Sequence, residues 1–260
     1  MSSANTPMEA LVLAGRRSGE KDPLAGIEDV AHKALLTAGG KTLIARVVEA
    51  LAHSGRIGVI RIAAPEDVQG AISEALSPFT GWTFTAPESS PAATISAAIE
   101  QMGGSGGLVV TTCDHALLTS EMVREFLDDA HIHDAAAACV EKDNYLRRFP
   151  DSQRTFITLK GFAFSGANLF WFAGPSAAPL AAFWRRLEQN RKKPLKMARE
   201  IGVFTALRYF MGAMTKRRLE ATLTKKTGVR AALVTLQTPE AAIDVDKPAD
   251  LALVRKILGD

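Results

Sequence analysis

Apolar positions along the chain fall into short continuous runs, and stretches of helical period separate them. "EALVLA" (9–14), "IGVIRIA" (57–63), "GLVVTTC" (107–113) and "AAAACV" (135–140) have the look of strands buried on both faces of a parallel sheet, with "WTFTA" (82–86) a shorter one. Between them, "KTLIARVVEALAHSG" (41–55) places Leu43, Val47, Ala50 and Leu51 on one helical face, with Gly55 past its end. Pro65 followed by Glu66 and Asp67 opens the next helix, and "PAATISAAIEQM" (91–102) and "SEMVREFLDDA" (120–130) are two more.

The rhythm breaks after Val140. "EKDNYLRRFPDSQR" (141–154) reads as a polar loop, "TFITLKGFAFSGANLFWF" (155–172) as antiparallel strands, and 177–226 as helices rich in Lys and Arg. "AALVTL" (231–236) and "AAIDV" (241–245) resume as strands, and a helix runs from Pro248 to Leu258. This order predicts an α/β fold with a mostly parallel central sheet and helices on both faces. One domain spans 1–260, with 141–230 as an inserted, largely helical lid or acceptor lobe. Ligands of such sheets sit beyond the carboxyl ends of the strands, so the loops after Ala14, Cys113 and Val245 are expected to form one site.

Composition narrows the class. The 260 residues are 47% hydrophobic and 23% charged, which suits one large core better than two. A net charge of +3 fits an anionic small substrate and is too weak to point to nucleic acid. Cys113 and Cys139 end apolar runs and are expected to be buried, reduced thiols. "MSSANTPMEA" has neither the basic nor the apolar segment of a signal peptide, so a cytoplasmic protein is expected. No run reaches the roughly 18 apolar residues of a membrane span; the nearest, 201–214, carries Arg208.

The first strand empties into "GRRSGEKDP" (15–23), a loop of glycine and cations suited to an anion. It is not a dinucleotide fingerprint, because Gly15 is followed by Arg16 and Arg17 and the next glycine is Gly19. Nor is it a P-loop, since no G-K-[ST] follows at the required spacing. "GGKT" (39–42) lacks a glycine at Leu35 and reads as a turn before a helix.

Three motifs carry a resemblance: "LAGRRSG" (13–19) with "HKAL" (32–35) and "GKTLI" (40–44), then "VVTTCDHALLT" (109–119), then "IDVDKPADLALVRKIL" (243–258). In that order they resemble nucleotidyltransferases of the GT-A-like, Rossmann-like fold. That superfamily of MobA-like NTP transferases includes molybdenum-cofactor guanylyltransferases and sugar-phosphate and lipid-precursor cytidylyltransferases. The chain departs from the pattern where Arg16 replaces a second glycine, His32 and Ala116 replace prolines, and Lys247 replaces a threonine. The stretch 141–230 carries none of these motifs.

The resemblance implies a Mg²⁺-dependent transfer of NMP from an NTP to an alcohol- or sugar-phosphate with release of pyrophosphate, CTP being preferred slightly over GTP. It implies nucleotide binding by Leu13, Ala14, Gly15, Arg16, Arg17, Ser18, Gly19 and Lys33, and by Ser89, Ser90 and Thr94, which could also simply cap a helix. Lys33, Arg16 and Asp114 take the catalytic roles. Asp114 and Asp246 make the metal pair, since Mg²⁺ binds through one or two carboxylates plus substrate phosphates. Asp244 is the alternative to Asp246, and Asp250 is expected in the first turn of the last helix.

Further residues have weaker roles. Arg147, Arg148, Arg154, Lys160 and Lys192 are candidates for the acceptor phosphate. His115 is expected to line the site, and "HIHD" (131–134) is read as a turn rather than a metal site. A GT-A glycosyltransferase would need a second acid after Asp114, and a non-catalytic nucleotide-binding protein would not need two aspartates; these are the alternatives. Finally, 195–226 joins apolar Val203, Phe204, Leu207, Phe210, Met211 and Met214 to a basic run from Lys216 to Lys226. It reads either as a helical hairpin packed on the core or as a peripheral membrane, membrane-enzyme or homodimer contact.

Overall fold

The computed structural model describes residues 8–16, 24–102, 106–190 and 193–260. The chain enters through β1 (Met8–Leu13), passes a small hairpin of β2 (Thr37–Ala38) and β3 (Lys41–Thr42), and continues through α1 (Leu43–Ala52), β4 (Ile57–Ala63), α2 (Glu66–Ala75), β5 (Trp82–Thr85) and α3 (Pro91–Gln101). Next come β6 (Leu108–Thr112), α4 (Ser120–Ala130), β7 (Ala135–Glu141), α5 (Lys142–Arg148), β8 (Ile157–Leu159) and β9 (Phe162–Phe172). Four helices follow: α6 (Ala178–Gln189), α7 (Pro194–Ile201), α8 (Val203–Phe210) and α9 (Lys216–Thr227). β10 (Ala231–Thr235) and α10 (Pro248–Leu258) close the chain.

The strands order as β10-β7-β9-β6-β1-β4-β5, with β8 paired on β9. β1 runs parallel to β4 and β6, β4 to β5 and β10 to β7, while β9 is antiparallel to both of its neighbours. Strand alternation sorts the apolar runs onto two faces. Ala10 and Val12 join the cluster under α1, α2, α4 and α10; Leu11 and Val110 join the one under α3 and α6. Continuous apolar runs are therefore required where the sheet is covered on both faces, as in the middle of β1 and along β6.

The local signals explain most boundaries. Thr42, Ser90 and Thr119 cap α1, α3 and α4 through their hydroxyls. Gly39 and Gly40, with φ of +59° and +72°, form the two-residue turn of the small hairpin, so "GGKT" is a turn that shortens the expected helix to a start at Leu43. Gly107 is needed for a different reason. Its φ is +94° and an added Cβ would stand 1.9 Å from the Trp171 ring, so only glycine lets β9 close over the start of β6.

Three expectations require correction. Residues 142–148 are helical, not a loop: Tyr145 is buried and its ring meets Phe149 at 5.1 Å and Phe156 at 5.8 Å. One aromatic anchor in an otherwise polar turn leaves no periodic signal. "AAIDV" is not a strand, because Pro239–Ala242 form a 3₁₀ turn followed by extended chain up to α10. The inserted lobe is also narrower than 141–230, since β9 sits inside the central sheet between β6 and β7 and α6 packs on α3. Cys113 and Cys139 are buried and not bridged. No helix among the described residues is long and apolar enough to cross a membrane.

Candidate active site

The site lies at the carboxyl ends of β1 and β6, where the sheet order reverses direction. Ladder-like bonds continue past the strand ends: Ala14 donates to the Ala63 carbonyl and Cys113 to that of Leu13, both at 3.0 Å. Gly15 and Arg16 therefore leave the sheet together beside Asp114. Arg16 is ion-paired with Asp67 in the first turn of α2.

Lys33 opens a 3₁₀ turn, Lys33–Leu35. The buried His32 caps it, its Nδ1 accepting from the Ala34 amide at 3.1 Å, so the histidine in place of a proline holds the turn through its ring. The Lys33 ammonium donates to Asp114 Oδ2 and lies 3.5 Å from Asp246 Oδ1. Burial alone would lower its pKa, but the charge of Asp114, with those of Cys113 and Asp246, outweighs burial and pushes the pKa up.

Asp114 is buried and also accepts from the Thr112 hydroxyl. Asp246 is open to solvent on one side, its side chain 67% exposed. Partial burial, then the charges of Asp244 and Asp114, push its carboxyl above the usual range against the pull of Lys33. Asp244 has both oxygens engaged, by Arg154 at 2.8 Å and Asn168 at 3.1 Å. Burial would raise the Asp244 pKa, but Arg154 outweighs it and holds it down. Asp250 lies in the first turn of α10, as expected, and caps the helix by accepting from the amides of Asp246 and Lys247. The carboxylate of Asp246 is thereby spared a capping role.

Two chain segments distant in sequence are tied at this point. Val245 donates its amide to the Asp114 carbonyl at 3.1 Å. Nearby, His115 is buried; its Nε2 lies 2.9 Å from the Ala241 carbonyl and its Nδ1 3.2 Å from the Thr111 hydroxyl. A carbonyl only accepts, so Nε2 carries the proton. Burial holds the His115 pKa below its ordinary value, against the charge of Asp114, and the ring is a neutral tether rather than a site-lining acid.

Two cavities flank the Lys33–Asp114–Asp246 group. The smaller, about 290 Å³, is lined by Leu13, Gly15, Arg16, Lys33, Asp114 and the β5–α3 loop with Ser89, Ser90 and Thr94. Ala14 is buried behind it. Ser90 caps α3, and Thr94 accepts from the Glu88 amide at 2.9 Å while donating to Ser90. Both hydroxyls thus shape the wall through the backbone. The larger cavity, about 800 Å³, runs from α5 to α10 past Asp246, with Arg148, Arg154, Lys247 and Lys256 among its lining.

Among the expected acceptor contacts, Arg148 and Arg154 reach this groove. Arg147 instead bonds Asp143 and Asn144 along its own helix, and Lys160 is tied by its amide to Met214, so neither lines the groove. Arg17, Ser18, Gly19, Lys21 and Lys192 lie outside the described residues. "HIHD" is a structural turn, with Asp134 paired to Arg230. Sequence reasoning missed Lys256, although its spacing of three from Leu253 and seven from Ala249 puts all three on one face of α10. It also missed Glu188 of α6 in the smaller cavity, for which no local signal exists.

Comparison with known proteins agrees with this architecture. A hypothetical transferase from Thermus thermophilus superposes with a TM-score of 0.78 at 28% identity, covering 95% of this chain and all of that one. The 4-diphosphocytidyl-2C-methyl-D-erythritol synthase of Anaerococcus prevotii gives 0.60 at 9% identity, with 98% and 97% coverage. The 2-C-methyl-D-erythritol 4-phosphate cytidylyltransferase of Thermus thermophilus gives 0.55 at 15%, with 98% and 100%. At the last two identities the likeness is one of fold. No curated protein matches the chain. The family model for the MobA-like NTP transferase domain matches residues 10–227, and the chain belongs to that family of nucleotidyltransferases.

Proposed function

We propose that the protein transfers a nucleoside monophosphate from an NTP to the phosphate of a small phosphorylated alcohol or sugar, with Mg²⁺, and releases pyrophosphate. The observation that carries this reading is the seat of Lys33 between Asp114 and Asp246, on the seam of two cavities. An acceptor phosphate oxygen bonds to the α-phosphorus as the bond from that phosphorus to the β-phosphate oxygen breaks. Both reactants are anions, so the protein's task is to position them and offset their charge.

Each residue then has a share. The loop of Leu13, Ala14, Gly15 and Arg16 receives the nucleotide, with the β5–α3 loop of Ser89, Ser90 and Thr94 forming the wall toward base and ribose. Lys33 places a fixed ammonium at the phosphates. Lys256 offers a cation to the acceptor in the larger groove, whose wall also holds Arg148 and Arg154, paired with Glu240 and Asp244. Asp114 and Asp246 would hold the metal. Their carboxylates converge on one cation already, the Lys33 ammonium. When bound, Mg²⁺ offsets phosphate charge and draws electron density from the reacting phosphoryl group. Asp244 is committed to Arg154 and Asn168, which favours Asp246 as the second ligand.

CTP precedes GTP as the donor to test, on the strength of the cytidylyltransferase named among the fold relatives. A glycosyltransferase reading is disfavoured because a D-x-D motif opening at Asp114 would need its second acid at position 116, which holds the buried Ala116. Pyrophosphate release is to be measured with each NTP over a panel of phosphorylated alcohols and sugars. Release that depends on both an NTP and a phosphorylated acceptor is expected; NTP consumption with unphosphorylated acceptors would overturn the reading.

A further inference from the structure

The helices packed on the sheet turn their apolar stripes inward, but α8 does not. It has no buried residue, and Val203, Phe204, Leu207, Phe210 and Met211 are 65, 86, 50, 82 and 65% exposed. Their spacing makes one continuous stripe along two turns. Met214, which sequence placed with this group, is turned in against Cys139, Leu159 and Phe164. It roots the segment: Lys160 donates to the Met214 carbonyl at 2.7 Å and Arg218 to the Ala213 carbonyl at 3.1 Å. The expectation of a hairpin packed on the core therefore fails for α8, whose stripe is held toward water.

Charge identifies the occupant. From 193 to 226 the chain carries nine Lys and Arg against two acids, Glu200 and Glu220. Both acids are engaged, Glu200 with Arg186 at 3.3 Å and Glu220 with the Leu233 amide at 3.0 Å. Arg199, Arg208, Arg217, Arg218, Lys225 and Lys226 are exposed on α7, α8 and α9. An apolar stripe among exposed cations complements hydrocarbon beneath anionic headgroups. A second copy would bring two cationic surfaces together across an isologous contact, which repels. We propose that α7–α9 dock on an anionic lipid bilayer, with α8 lying in the interface and Phe204 and Phe210 inserted.

This surface stands apart from the transfer chemistry, so its test reads binding alone. The full-length protein is sedimented with vesicles of phosphatidylcholine, and with vesicles of equal parts phosphatidylcholine and phosphatidylglycerol. Capture by the mixed vesicles is expected, falling at least about tenfold as salt rises from about 0.05 to 0.5 M. Phe204→Ser with Phe210→Ser should abolish capture and leave thermal unfolding unchanged, because both rings already face water. Arg217→Glu with Lys225→Glu and Lys226→Glu should remove the preference for the anionic lipid. Absence of capture at low salt, or equal capture by both vesicle types, overturns the proposal. So does self-association that the serine variants abolish while vesicles are ignored, which would assign the stripe to a second copy of the chain.

Discussion

The amide of Val245 donates to the carbonyl of Asp114 at 3.1 Å, across 131 positions of sequence. That one main-chain bond sets the carboxylates of Asp114 and Asp246 on either side of the Lys33 ammonium. The buried His115 repeats the tie through the Ala241 carbonyl. The acidic pair is thus placed by backbone contacts, with both side chains directed at Lys33.

Asp114→Asn and Asp246→Asn should each lower turnover by about 10²–10³, the usual loss when one preorganised charge is removed, and raise the Mg²⁺ concentration needed for half-maximal rate. The exposed Asp246 variant should unfold within about 0.5 kcal/mol of the parent. Asp244→Asn should leave the Mg²⁺ dependence in place and cost stability instead, because it strips Arg154 of its carboxylate partner and leaves it only the Ser165 hydroxyl. Kinetics over a Mg²⁺ titration separates the three. An Asp246 variant with parental Mg²⁺ dependence would remove that residue from the metal pair.

Lys33→Met should weaken NTP binding about 10–100-fold, the range for a lost charged hydrogen bond. NMP binding should change much less if, as proposed, the ammonium serves the outer phosphates. Calorimetry with both nucleotides reads the difference. Equal losses would make the lysine a structural partner of Asp114.

Lys256→Ala should raise the KM for the phosphorylated acceptor by about tenfold and leave the KM for the NTP unchanged. The lysine lines the larger groove and not the smaller cavity. A rise in the NTP KM instead would exchange the roles of the two cavities.

His115 makes stability depend on pH. Its folded pKa lies below 6.5, so between the two values the unfolded chain binds more protons and stability rises with pH. The contribution is fully present above about 6.5 and is lost as pH falls from there toward the folded value. His115→Leu should remove that slope and cost about 1–3 kcal/mol at neutral pH through the stranded Ala241 carbonyl. Urea unfolding at several pH values tests both; an unchanged slope in the variant would assign the dependence elsewhere.

Gly107→Ala should destabilise the fold by about 3 kcal/mol or more, since its φ of +94° and the Trp171 ring act together. Urea unfolding measures it. A loss under about 1 kcal/mol would mean that Trp171 moves aside at little cost.

Much of the fold could be read from local pattern. β4, α4 and α10 have the limits that their apolar runs, caps and Pro–Gly punctuation indicate. Most nucleotide-site candidates within the described residues line one cavity, because each ends a strand or opens a helix at the same edge of the sheet. The failures have physical causes too. α5 rests on one buried tyrosine amid polar residues, and Ala241–Val245 resembles a strand because apolar content alone does not report hydrogen-bond partners.

The sequence by itself determined the alternation of strands and helices, the two-faced burial of the sheet and the identity of the Lys33, Asp114 and Asp246 motifs, since periodicity, caps and turn chemistry act within a few residues of one another. Only the tertiary structure decided which acid faces Lys33, which cations line the acceptor groove, and that the apolar stripe of α8 turns outward. Those outcomes depend on pairings across tens to hundreds of residues: β9 entering between β6 and β7, Asp244 taken up by Arg154, and Val245 bonded to Asp114. No local pattern carries such pairings, because each is set by which surfaces remain free once the sheet has closed.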